Sequence, residues 1–121
     1  KVVEAFEKNQ GRYVIPVSHL RGTDGFGCDL ISVASEDIRN QTITRLTVNE
    51  TDVLRYIEVK GRSSRTGEVE LTGNEYRAAE CKYDRYFIYR VYVDPNRTRH
   101  YEVAVLCDPL NSKAAILFTM N

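Results

Sequence analysis

The chain has 121 residues, and its 17 Lys and Arg balance 17 Asp and Glu, so the formal net charge is zero. With 42% hydrophobic and 28% charged residues it suits one domain around one core, which excludes a two-domain enzyme. Neutrality removes any global attraction for phosphates, so a nucleic-acid contact must come from a local patch, and no apolar run approaches the roughly 20 residues that span a bilayer.

Lys1 leads into a charged, amphipathic segment rather than a signal peptide. Because the chain starts inside what reads as a helix, residues 1–121 are expected to be a single domain taken from a longer polypeptide. The three cysteines, Cys28, Cys81 and Cys107, are widely spaced and form no CxxC pair, so neither a disulfide framework nor a zinc site is expected. That usage points to a reducing, cytoplasmic setting.

Val2, Val3 and Phe6 recur at helical spacing before Gly11, predicting a helix over residues 1–10 with Glu4 and Glu7 as surface neighbours. Tyr13 to Val17 alternates and contains Pro16, as an edge strand does. Gly22 to Gly27 is a glycine-rich loop, and Asp29 to Val33 a strand. Ser35 to Asp52 is polar with a β-branched run from Thr42 to Val48, which predicts an extra hairpin or a long loop. Leu54 to Gly61 is a strand with Leu54, Tyr56, Glu58 and Lys60 on one face and Arg55, Ile57 and Val59 on the other.

After a loop over Arg62 to Gly67, Glu68 to Leu71 is predicted as a short strand. A helix follows with Asn74 as N-cap and Tyr76, Ala79 and Tyr83 as its buried stripe. Asp84 to Val93, dense in Tyr, Phe, Ile and Val, is the strongest strand; it turns at Asp94 to Arg97 and pairs with Tyr101 to Leu106. Asp108-Pro109 turns again, and Ser112 to Met120 is predicted as a helix. The order of elements indicates a mixed α/β or α+β fold, a central mixed sheet flanked by helices.

Asp29 at a strand start and Glu58-Val59-Lys60 at a strand end carry the chemistry. Two carboxylates converging from neighbouring strands suit Mg²⁺, or Mn²⁺, and the Val59 carbonyl can supply a third protein oxygen. Lys60 beside them is a point charge for a phosphate, and Glu4 or Glu7 could hold an outer-shell water. Arg55, Lys60, Arg62 and Arg65 outnumber Glu58 locally and could track a phosphate backbone. Asn74 and Glu75 could approach DNA or support the site, although capping accounts for Asn74. The tyrosines of Asp84 to Val93 read as packing rather than base stacking, and Cys28 as a small buried residue rather than a nucleophile. A nucleotide-phosphate loop is disfavoured, since the glycines at 22, 25 and 27 open a strand without a following Lys-Ser/Thr.

The blocks Gly25-Phe-Gly-Cys-Asp29-Leu, Arg55-Tyr-Ile-Glu58-Val-Lys60-Gly61-Arg-Ser, Leu71-Thr-Gly-Asn-Glu75-Tyr-Arg-Ala-Ala and Asp84-Arg-Tyr-Phe-Ile-Tyr-Arg-Val stand in an order that resembles the NO VEIN C-terminal domain family. Phe6-Glu7, Gly11-Arg12 and Asp108-Pro109 extend the resemblance over most of the chain. That family is similar to the PD-(D/E)xK restriction-endonuclease superfamily. The resemblance implies a restriction-endonuclease-like core and Mg²⁺-dependent hydrolysis of DNA, with a helicase or another DNA-processing or defence domain in the same or a partner chain. It assigns Asp29 and Glu58 as metal ligands and Lys60 as the catalytic lysine. The first-helix glutamate is Glu4 or Glu7, with the context favouring Glu7. Two departures stand out: Cys28 precedes Asp29 where the superfamily has proline, and the Ser35 to Asp52 insertion lengthens the gap to Glu58. A homodimer is a further expectation for an enzyme that cuts two strands. The alternative is a catalytically inactive module that keeps the fold to bind DNA or a protein partner.

Overall fold

A computed structural model of the chain describes residues 2–62, 70–93, 96, 101–111 and 116–120, with residues 62 and 116–120 described by their backbone alone. Helix α1 (Val2–Asn9) buries Val3, Phe6 and Glu7, and the chain leaves it through Gly11 at φ +78°. Strand β1 (Tyr13–Pro16) follows, then the glycine loop and β2 (Leu30–Val33). Pro16 lacks an N–H, and its place at the end of an outermost strand is one where a proline costs the ladder little.

Where a hairpin or loop was expected, residues Glu36–Arg45 form helix α2. The Ser35 hydroxyl accepts from the Ile38 N–H at 3.1 Å, Glu36 and Asp37 sit in the first turn, and Leu46 closes the helix at φ 62°. The β-branched run is accommodated because its threonines bond back into the helix. Thr42 Oγ1 donates to the Ile38 carbonyl, and Thr44 Oγ1 to that of Asn40, each at 2.8 Å.

Strand β3 (Arg55–Arg62) is followed by helix α3 (Gly73–Lys82). The N-cap is Thr72 rather than Asn74, and it forms a reciprocal capping box with Glu75. The buried face of α3 is Ala78 and Ala79, whereas Tyr76 and Tyr83 are 49% and 55% exposed. Small residues win that face because the helix lies close over the glycine loop: a Cβ on Gly27 would stand 2.5 Å from the Asn74 carbonyl oxygen and 2.7 Å from Ala78 Cβ. Two tyrosines would have held the helix off.

Strands β4 (Tyr86–Val93), β5 (Tyr101–Cys107) and β6 (Ile116–Met120) complete a six-stranded sheet of order β1-β2-β3-β4-β5-β6. The predicted C-terminal helix is thus a strand. Its Ile-Leu-Phe-Thr-Met sequence suits an extended chain, and it pairs antiparallel with β5. Half of the predicted strand at Glu68 to Leu71 lies outside the described residues, and its other half, Glu70 and Leu71, belongs to no strand. The turn expected at 94–97 likewise lies outside them, apart from Asn96.

All neighbouring strands are antiparallel except β3 and β4, which run parallel and are joined through α3. The fold is therefore mixed α+β, with a mixed sheet carrying helices. Strand alternation sends Ile15, Ile31, Tyr56, Tyr86 and Ile88 into one core with Ala78 and Ala79 of α3. Ile57, Phe87, Tyr89 and Val91 enter a second core with Val3 and Phe6 of α1. Alternate residues of β3 thus face different helices, and this decides which side chains share the site.

Candidate active site

The β2–β3 ladder runs through Leu30 and Ile57, and just beyond it the Asp29 N–H donates to the Ile57 carbonyl at 3.0 Å. The Asp29 side chain then turns to the strand edge, where Oδ2 accepts from the Val59 N–H at 2.9 Å. The N–H and C=O of a strand residue leave by the same edge, so the Val59 carbonyl faces the Asp29 side. Gly27, at φ +58° and tight against α3, fixes the loop that delivers Asp29, and the buried Tyr86 hydroxyl anchors it by donating to the Gly27 carbonyl at 2.6 Å.

Glu58 and Lys60 project toward α3. Lys60 Nζ lies 3.3 Å from Glu58 Oε2 and 2.9 Å from Glu75 Oε1. Glu58 is 7% exposed; burial, then the charges of Asp29 and Glu75, push its carboxyl up to about 7, against the opposing pull of Lys60. Burial works against the Lys60 ammonium, but its two carboxylate partners outweigh this and hold it above the ordinary lysine range. Glu75 moves the other way: its bonds to Lys60 and Thr72 overcome the effect of burial and lower its carboxyl.

Asp29 therefore meets β3 at Val59, between Glu58 and Lys60, the juxtaposition that the expected chemistry requires. Glu75 joins them as the lysine's second partner, a role the sequence reading left as general support for the site. Its signal was the Thr72-x-x-Glu75 spacing, which marks a capping box and so places a carboxylate at the start of α3.

Glu7 is not brought to this cluster. It is completely buried on the opposite face of the sheet and takes three bonds from Arg12: Nε to both carboxylate oxygens at 3.0 Å, and Nη2 to Oε2 at 2.6 Å. The expected choice of Glu7 as a site glutamate is thereby corrected, since alternation directs the α1 core away from Glu58 and Lys60. Glu4, the other candidate, is exposed on the same helix. Arg55 also faces the α1 side, where Nη1 donates to the Tyr89 hydroxyl at 2.7 Å and the guanidinium lies 4.1 Å from the Phe87 ring centroid. The local cation excess is therefore divided between the two faces.

Asn74 is exposed in the first turn of α3, and its Oδ1 accepts from Arg77 Nη2 at 2.6 Å. The Arg62 side chain and all of Arg65 lie outside the described residues. Burial, with the Glu58 and Asp29 charges, pushes the Cys28 thiol up to about 12, which is the behaviour of a packed thiol and not of a nucleophile. Among the described residues no group of three or more His, Cys, Asp or Glu is arranged to hold a metal ion, and no helix is long and apolar enough to cross a membrane.

Residues 1–104 match the family described as Protein NO VEIN, C-terminal. The chain belongs to that family. The match takes in α1 through most of β5, including every residue of the Asp29, Glu58, Lys60 and Glu75 cluster. No curated protein and no solved structure matches this NO VEIN C-terminal domain.

Proposed function

We propose that this domain is a Mg²⁺-dependent, restriction-endonuclease-like module that hydrolyses DNA phosphodiester bonds within a helicase-linked DNA-processing or defence protein. The observation that supports it best is the Asp29 carboxylate on the Val59 N–H, between Glu58 and Lys60. The donor set fits a hard divalent cation: burial first, and then the charges of Asp29 and Glu75, push Glu58 up to about 7, and a small dication would relieve the part of this that is repulsion. Asp29, Glu58 and the Val59 carbonyl would hold it. When bound, such a cation supplies positive charge beside the phosphate and acidifies water. The chain's own part is to orient the phosphate with the Lys60 ammonium and to keep Glu58 partly dry. Arg62, Arg65 and Asn74 are the proposed contacts to the DNA backbone.

Purified domain incubated with Mg²⁺ or Mn²⁺ and duplex, branched or single-stranded DNA should cut, and Lys60→Ala should abolish cutting. Equal cleavage by variant and parent would overturn the assignment.

A second reading, a non-catalytic module that binds DNA or a protein partner, is favoured by one observation: Lys60 is engaged by two carboxylates while Arg55 packs on the other face. DNA binding that persists without divalent metal, with no cleavage, would support it. Calorimetric titration with Mn²⁺ separates the readings, because nuclease chemistry requires a site that Asp29→Asn removes.

A further inference from the structure

Lys60 shares its ammonium between two carboxylates that are not equivalent. Glu58 lies two residues away on the same strand face, at 3.3 Å. It is also one of the two acids proposed to hold a divalent cation, so the oxygen that meets Lys60 is one the cation would compete for. Glu75 lies closer, at 2.9 Å, and comes from another element.

Glu75 is also better anchored. Its Oε1 accepts from the Thr72 N–H at 3.2 Å, while the Thr72 hydroxyl accepts from the Glu75 N–H at 3.3 Å. This reciprocal pair fixes the side chain on the first turn of a helix. That helix is seated on the sheet by Ala78 and Ala79 and abuts Gly27. The carboxylate oxygen that meets the lysine is therefore also tied to the backbone at the start of the helix.

We infer that Glu75 is the positioning residue for Lys60, holding the ammonium over the site on its own when Glu58 turns to a divalent cation. The inference rests on the proposed nuclease reading, which gives that exchange its purpose. Glu58 passes from an ion pair to a cation ligand, and the lysine stays where a substrate phosphate would meet it. A lysine held only by Glu58 would be released at the moment the site was loaded.

The test reads the Lys60 ammonium directly, by proton–nitrogen correlation spectroscopy of lysine-labelled protein without metal or DNA. In Glu58→Gln the Lys60 signal should persist with nearly parental water exchange, whereas in Glu75→Gln the exchange should accelerate at least about tenfold, the loss expected when a charge-assisted bond goes. Gln is accepted at this capping position, so the backbone amide spectrum of Glu75→Gln should remain that of the parent. Parental exchange in Glu75→Gln, or loss of the signal in Glu58→Gln alone, would overturn the inference. Should Glu75→Gln fail to fold, Glu75→Asp keeps the charge one methylene short; intermediate exchange supports the inference and parental exchange overturns it. With DNA and Mg²⁺, Glu75→Gln should lower kcat by about tenfold and leave KM within about twofold. A parent that never cuts DNA would overturn the nuclease reading, while the metal-free spectra would still decide the place of Glu75.

Discussion

Asp29, at the foot of β2, sets its charge beside Glu58 of β3, and burial first, with that charge second, pushes the Glu58 carboxyl up to about 7. The consequence for stability has a definite sign. An acid whose folded value lies above its unfolded value of 4.5 stabilises the fold while protonated, so its contribution is complete below about pH 4.5 and is lost as pH rises toward 7. The loss is on the order of 2–3 kcal/mol. Glu75 acts oppositely below that window, since its lowered carboxyl contributes stability that disappears on acidification. Chemical denaturation from pH 5 to 8 should therefore show stability falling in the parent and a flatter profile in Glu58→Gln. A parent profile that rises through this range would contradict the burial and charge crowding assigned to Glu58. On the nuclease reading, Mg²⁺ should raise Tm more at pH 8 than at pH 5.5.

Glu7 gives a sharp separation of structure from chemistry. Its carboxylate is inaccessible and takes three bonds from the partly exposed Arg12 guanidinium, so neutralising it weakens a charge-assisted pair. Glu7→Gln should cost roughly 2 kcal/mol in a urea melt. Mn²⁺ titration of the folded variant should match the parent. A folded Glu7→Gln that has lost a divalent site would return Glu7 to the chemistry.

Gly27→Ala should be among the costly single-methyl additions in this chain. The position sits at φ +58°, and the new Cβ would overlap the Asn74 carbonyl and Ala78. Left-handed backbone and overpacking together should destabilise by about 3 kcal/mol, and the displaced loop should carry Asp29 away from β3. Gly25→Ala is the control, because nothing lies within 4 Å of its Cβ. Thermal melts of the two variants should differ by several degrees, and equal melts would mean that the loop yields freely.

The two neighbouring polar residues at the start of α3 should also behave differently. Thr72→Ala removes the hydroxyl that caps Glu75 and should cost about 1 kcal/mol, whereas Asn74→Ala, which loses only an exposed bond to Arg77, should stay within about 0.5 kcal/mol. Equivalent losses would place the cap where the sequence alone suggests it.

Much of this site is legible in the sequence because strand alternation is a strict rule. Once Leu54 to Gly61 is read as a strand, Glu58 and Lys60 share a face and Arg55 takes the other. The same rule, applied together with the helices, would have excluded Glu7, but which face of the sheet α1 covers depends on contacts with Tyr89 and Val91 that lie far along the chain. Helix α2 was hidden because its threonines look β-forming until their hydroxyls are seen bonding back to Ile38 and Asn40. The buried face of α3 was misjudged for a related reason: nothing local reveals that Gly27 presses against Ala78, and without that approach tyrosines seem the better packing residues. The last strand combines β-favouring Ile-Leu-Phe-Thr-Met with the edge of β5, and only the second of these is a tertiary fact that local propensity does not encode.

The strands stand side by side in the order in which they occur along the chain. Each ladder therefore joins segments that follow one another along the chain, with helices α2 and α3 carried in the connections on either side of β3, and no strand has to be inserted between two already paired. Asp29, Glu58, Lys60 and Glu75 all precede β4, so every polar member of the cluster lies in one continuous stretch of chain. Strand β4 then supplies the apolar floor beneath that stretch, since Tyr86 and Ile88 share a core with Ala78 and Ala79.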